Sequence, residues 1–179
     1  MIAGSLARRY ARALFAIGAS KGTYETLGRE VEEMAGLYST SRDLTLALTS
    51  PAIPSQKRRA VLEAVLRRAG IAGTTRSFLL ALLERKRIEY LPVIAAELRT
   101  MVDDRAGRVR VEVTSARPLL ADQVTRLSSL LERVAGKRVI LDQRKDPELL
   151  GGVVAKLGDV VYDGSLRSQL EQMRERFLA

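Results

Sequence analysis

Residues 146–170 read DPELLGGVVAKLGDVVYDGSLRSQL. Two β-prone runs, Val153 to Leu157 and Val160 to Tyr162, are separated by Gly158 and Asp159. A two-residue loop that begins with glycine signals a type I′ or II′ hairpin, because glycine takes the positive φ that matches strand twist. Asp163-Gly164-Ser165 follows, and Leu166, Leu170, Met173 and Phe177 then recur at helical spacing with Ser165 placed as N-cap. The stretch therefore predicts strand, hairpin, cap and helix. Gly151-Gly152 leads into a strand, whereas a phosphate loop runs from a strand into a helix N-terminus, so the pair is expected to permit a bulge or a close backbone approach within a sheet.

Upstream, RVRVEVTS at 108–115 sets Val109, Val111 and Val113 on one face and Arg108, Arg110 and Glu112 on the other, the pattern of a half-buried strand. Leu120, Val124, Leu127, Leu131 and Val134 form an amphipathic helix closed by Gly136, and RVILDQ reads as a second strand. Before Gly107 the period is helical throughout. Leu27, Val31, Met34 and Tyr38 make one stripe, Val61, Leu62, Val65, Leu66 and Ala69 another, and Leu91, Ile94, Ala95, Leu98 and Val102 a third. Breaks at Lys21-Gly22, Ser50 to Pro54, Gly70 to Gly73 and near Ile88 divide this half into about six helices, and links this short favour an antiparallel bundle. The expected fold class is α+β: a six-helix bundle over 1–105, then a small α/β domain with a few-stranded sheet over 106–179.

At 179 residues and 46% hydrophobic the chain can bury a real core. It has no Cys, His, Trp or Asn. That excludes disulfides, zinc sites built on Cys or His, and Ser-His or Cys-His nucleophile pairs. Asp142, Asp146, Glu148, Asp159 and Asp163 offer oxygen ligands for Mg²⁺ or Ca²⁺, but their spacing matches no calcium loop, and Asp159 and Asp163 have local roles as turn and pre-cap residues. No catalytic residue, cofactor or metal site is expected.

The net charge of +9 is spread along the chain, +6 up to Arg105 and +3 beyond it. Such a field suits an acidic partner, nucleic acid or an anionic membrane surface, and equally a solvated face. No apolar run approaches the ~20 residues needed to span a bilayer. The first 22 residues, with Arg8, Arg9, Arg12 and a short apolar stretch from Ala13 to Ala19, imitate a leader, but Leu6, Tyr10, Leu14 and Ile17 recur at helical spacing and favour a retained first helix.

That helix carries a second apolar row, Ala7, Ala11 and Phe15, beside the first. Its apolar arc is wider than one core requires. FLLALL at 78–83, in the fifth helix, is apolar all the way round. Two readings are open: both helices are central in the bundle, or side by side they form a groove for a partner's amphipathic segment.

DPELLGGVVAKLGDVVYDGSLRSQLEQM at 146–173 resembles the C-terminal signature of the delta subunit of bacterial F-type ATP synthase, the family of the mitochondrial oligomycin-sensitivity-conferring protein. LARRYARALF near the start, SPAIPSQKR in the middle and VEVTSARPL after the bundle are similar to the family's other landmarks, so the resemblance spans nearly the whole chain. It implies a non-catalytic stator whose bundle takes up the N-terminal helix of an alpha subunit in a groove of its first and fifth helices. By position, Tyr10, Ala13, Leu14 and Ile17 with Phe78, Leu79 and Leu82 would form that groove. The smaller domain would meet the C-terminal ends of the peripheral-stalk b subunits. Asp146, Pro147, Gly151, Gly152, Asp163 and Ser165 match the signature and read as fold-specifying, and Ala121 departs from it where Ser or Thr would cap a helix. The resemblance further implies one copy per complex, no cofactor, no nucleic acid, no membrane span of its own, and a place on the cytoplasmic face of a bacterial inner membrane. The rival reading is a basic nucleic-acid-binding protein, motivated by the charge and by QKRRAVLEAVLRR at 56–68, though recognised binding motifs are lacking.

Overall fold

The computed structural model describes residues 2–147, 149–158 and 160–178, with backbone alone for Ile2, Ala3, Gln172 and 175–178. The chain divides into two compact units, Met1–Val102 and Asp103–Ala179.

The first unit holds α1 (Ile2–Ser20), α2 (Tyr24–Thr40), α3 (Arg42–Thr49), α4 (Ser55–Arg68), α5 (Gly73–Glu84), a 3₁₀ turn at Ile88–Tyr90, and most of α6 (Leu91–Arg105). Helices fall where the apolar stripes predict them, with one difference. The pattern over 24–49 gave no break, yet Ser41 divides α2 from α3. Its N–H donates to the Leu37 carbonyl that ends α2, and its hydroxyl accepts from Leu44 N–H at 3.3 Å to cap α3. One small polar residue thus turns the chain without a loop.

α2 packs against α1, α3 and α5, and α4 packs against α3 and α5. The core between them is Leu14, Met34, Leu62, Leu66, Leu79, Leu82, Leu91, Ile94 and Leu98, all at most 1% exposed. α1 reaches α2 closely because Gly18 has no side chain: a Cβ there would lie 2.8 Å from the Tyr24 Cα. Fully buried Thr75 donates its hydroxyl hydrogen to the Glu30 carboxylate, which ties α5 to α2.

The second unit contains β1 (Arg108–Ser115), α7 (Ala121–Ala135), β2 (Arg138–Lys145), β3 (Val153–Leu157), β4 (Val160–Asp163) and α8 (Leu166–Leu178). The four strands make one sheet in the order β2-β1-β3-β4. β1 and β2 run parallel, Val113 opposite Gln143, joined through α7; β1 and β3 run antiparallel, Val113 opposite Ala155. Val111, Val113, Leu131 and Ala155 are the buried centre, flanked by half-buried Leu119, Leu127, Val139, Leu141, Val153 and Leu157. β3 and β4 form the expected hairpin, with Leu157 opposite Val160. Asp159 of its loop, Glu148, and the Phe177 side chain of the predicted α8 stripe lie outside the described residues.

The division falls three residues before the one read from the sequence. Asp103 is 6% exposed, accepts from Arg110 Nε at 2.6 Å and is ion-paired with Arg108, whose Nε lies 3.3 Å away, so the last turn of α6 is tied to β1. Ala121 is not the cap of α7 but its first residue. Leu120 precedes it, and the Gln123 side chain accepts from Leu120 N–H at 2.9 Å, supplying half of a capping box without a capping hydroxyl.

Candidate functional site

α1 presents two apolar rows to two places. Ala7, Ala11 and Leu14 are buried in the core, whereas Tyr10 is half-buried and Ala13 and Ile17 are exposed, Ile17 to 43%. Tyr10, Ala13 and Ile17 border a groove of about 580 Å³ whose other wall is α5. On that wall stand Thr74, Ser77, Phe78, Ala81 and Arg85, spaced i, i+3, i+4, i+7 and i+11, which is one continuous helical face. Arg9 and Arg87 complete the lining.

The sequence-derived residues separate here. Tyr10, Ala13, Leu14, Ile17 and Phe78 line the groove, with Leu14 as its closed floor at 1% exposure. Leu79 and Leu82 do not line it. Both are fully buried in the core of the first unit. An all-apolar hexapeptide carries no amphipathic direction, so periodicity could not say which side of FLLALL faces outward; the small residues Thr74, Ser77 and Ala81 were the available signal, since they are what gives the groove its width. Arg9, Arg85 and Arg87 were missed because their charge reads as an ordinary solvated face.

An aromatic pair shapes the floor. Tyr10 and Phe78 meet edge to face, centroids 6.2 Å apart, and Arg87 Nη1 donates to Tyr10 Oη at 2.7 Å while its guanidinium carbon lies 5.7 Å from the same ring centroid. Tyr10 is therefore held from two sides. The result is an apolar, preformed trough with a cationic edge, suited to an amphipathic helix.

The signature residues of the second unit build one joint. Asp146 N–H donates to the Ser115 carbonyl at 3.0 Å and Pro147 lies in the following turn. Gly151 and Gly152 pass against the segment before α8: Leu166 N–H donates to Gly151 O at 3.0 Å and Gly164 N–H to Val153 O at 2.9 Å. The glycine pair thus permits a close backbone approach. Ser165 caps α8, its hydroxyl oxygen accepting from Ser168 N–H at 3.3 Å. Asp163 accepts from Ser165 N–H at 2.8 Å and from the Ser168 hydroxyl at 2.6 Å.

Those bonds, the Ser168 hydroxyl foremost and Ser165 next, hold the Asp163 carboxyl below its ordinary value. A depressed carboxylate stabilises the fold fully above its unfolded value, and that contribution is lost as pH falls through the lower folded one. Amide exchange at Ser165 and Ser168 is accordingly expected to accelerate beyond the intrinsic rate as pH falls through and below the ordinary aspartate range. Asp163→Ala should remove that pH dependence; an unchanged profile would mean that the carboxylate does not hold the first turn.

Beyond this joint the described side chains of α8 are scarcely packed. Leu166, Leu170 and Met173, one face at i, i+4 and i+7, are 46%, 61% and 57% exposed, and every residue of β4 is exposed. An isolated helix of this length is marginal in water. Among the carboxylates weighed as metal ligands, Asp142 pairs with Arg110 at 3.4 Å, Asp163 is engaged by serines, and no metal-binding cluster occurs among the described residues.

Comparison with known proteins gives one picture. The family model described as ATP synthase delta (OSCP) subunit matches residues 6–177. The chain is 41% identical over 176 residues to an ATP synthase subunit delta of Myxococcus xanthus, covering 97% of each, and 38% identical over 170 residues to one of Desulfatibacillum aliphaticivorans, covering 95% of this chain and 93% of that one. A chain of the Toxoplasma gondii mitochondrial ATP synthase hexamer shares the fold, with TM-score 0.72, 24% identity and coverage of 97% and 98%.

Proposed function

Since the chain belongs to the ATP synthase delta (OSCP) subunit family, we propose that it works as a stator, a non-catalytic subunit that links the catalytic head of an F-type ATP synthase to the membrane-anchored peripheral stalk. The rotor turns inside the head during synthesis. A head free to turn with it would make no ATP from the proton gradient, so what is required of this chain is tight attachment at two places and no chemistry.

The groove between α1 and α5 carries the reading. It receives the N-terminal helix of one alpha subunit, which lays its apolar face on Tyr10, Ala13, Ile17 and Phe78 over the floor made by Leu14. The second unit meets the C-terminal ends of the b subunits. The exposed stripe of Leu166, Leu170 and Met173 and the uncovered β4 supply apolar surface for that contact. Two attachments on one chain add avidity, so neither needs extreme affinity. One copy serves each complex, on the cytoplasmic face of a bacterial inner membrane. No helix among the described residues is long and apolar enough to cross a membrane, so on this reading the stalk supplies the anchor.

Membrane vesicles stripped of this subunit and rebuilt with it provide the test. The head alone is expected to hydrolyse ATP, while ATP-driven proton uptake returns only when the chain is added back. Proton uptake that is equal with and without it would refute the stator role.

A further inference from the structure

The groove carries its charge at one end. Its charged lining residues among those described are Arg9, Arg85 and Arg87, all positive. Arg87 is bonded to Tyr10, Arg9 precedes Tyr10 in sequence, and Arg85 lies two residues before Arg87, so the three gather where the N-terminal half of α1 meets the C-terminal end of α5. Ile17 lies two turns further along α1, about 10 Å away, and Thr74 about 16 Å back along α5 from Arg85. That far end is lined by Ile17, Thr74 and Ser77, without charge.

Arg8, Arg59, Arg76 and Arg99 each pair with a glutamate on the bundle surface. Arg9, Arg85 and Arg87 pair with no carboxylate among the described residues. Arg85 and Arg87 follow the end of α5, where the helix dipole favours a cation, but Arg9 lies beyond the first turn of α1 and gains nothing of that kind. Three like charges on the edge of an apolar trough attract an acidic ligand and, being at one end, discriminate its direction.

We propose that the groove selects a helix whose carboxylates are concentrated toward one end, and that Arg9, Arg85 and Arg87 fix the direction in which that helix lies. This rests on the partner-helix reading of the groove. The acidic end sits beside Arg9 and Arg85, and Arg87, already oriented by Tyr10, supplies a prearranged donor. The apolar remainder extends toward Ile17 and Thr74.

The test uses the full chain and a ~20-residue peptide from the alpha-subunit N-terminus, beside the same peptide with the Asp and Glu of its more acidic end changed to Asn and Gln. Arg9 and Arg85 are exposed, so the double variant Arg9→Gln, Arg85→Gln should fold normally, as circular dichroism would verify. Wild-type affinity for the acidic peptide is expected to fall as salt rises, and the double variant to bind it roughly 3- to 10-fold more weakly at low salt with a flattened salt dependence. The neutral peptide should bind both proteins alike. A photocrosslinker on the acidic end should react beside Tyr10 and Arg85.

Equal affinity of wild type and variant, or crosslinks beside Ile17 and Thr74, would overturn the proposal and leave the groove reading intact. Duplex DNA competing for the same arginines with a steeper salt slope would assign them to nucleic acid instead. If the acidic peptide fails to bind wild type at any salt, the groove reading falls, and this proposal with it.

Discussion

Ala13→Glu is expected to weaken binding of the alpha-subunit N-terminal peptide about 100-fold, or about 3 kcal/mol, with little change in thermal stability. Ala13 is exposed on the groove side of α1 between Tyr10 and Ile17, so a glutamate there keeps its charge in water when the groove is empty. Once a helix covers it, the carboxylate must be desolvated against apolar surface, and its length also obstructs close packing. The neighbouring Leu14 is an unsuitable site for the same experiment. It is 1% exposed, and Leu14→Asp would place a charge in the core and unfold the bundle, so lost binding would say nothing about the groove. Calorimetric titration and a melting curve on the same Ala13→Glu sample separate the two effects. Unaltered affinity would mean that the partner does not lie on this face.

Gly152→Ala should destabilise the second unit by about 2–4 kcal/mol and leave the first untouched. Two costs combine. Gly152 has φ +86°, a conformation that strains any residue with a side chain, and a Cβ built there would lie 2.3 Å from the Gly164 oxygen and 2.8 Å from the Ser165 Cα. Those are backbone atoms of the segment that enters α8, so relief requires moving that segment off the sheet, breaking the bonds from Gly164 N–H and Leu166 N–H. Among the described residues the second unit has four buried apolar side chains at its centre, a small core with little stability to lose. Residue-resolved hydrogen exchange would record the change, with amides of β1, β3 and α8 losing protection while those of α2 and α5 keep theirs. Uniform protection in the variant would show that the close approach at Gly152 is not needed.

The sequence made the architecture readable wherever a period was clean. Val109, Val111 and Val113 alternate, and they form a strand; Leu27, Val31, Met34 and Tyr38 step by three and four, and they face a core. The hairpin, the Ser165 cap and the glycine pair were legible because special backbone geometry restricts residue type. The Ser41 division was not, since a serine between two helices resembles a serine within one until its neighbours in space are known. The groove was half legible. The wide apolar arc of α1 marked its wall, but α5 offers no direction in FLLALL, and Leu79 and Leu82 are buried in the core while Ala81 and Ser77 border the opening. The exposure of Leu166, Leu170 and Met173 on α8 was invisible for a related reason. Periodicity identifies an apolar face and does not say whether this chain or another covers it.

If the trough between α1 and α5 holds a helix of the catalytic head, titration of the full chain with the ~20-residue alpha-subunit peptide should detect it. One-to-one binding with a negative heat-capacity change, abolished by Ala13→Glu in a variant that melts like wild type, is the predicted result. Binding that survives Ala13→Glu unchanged, or no binding to the peptide or to the intact head, would contradict it.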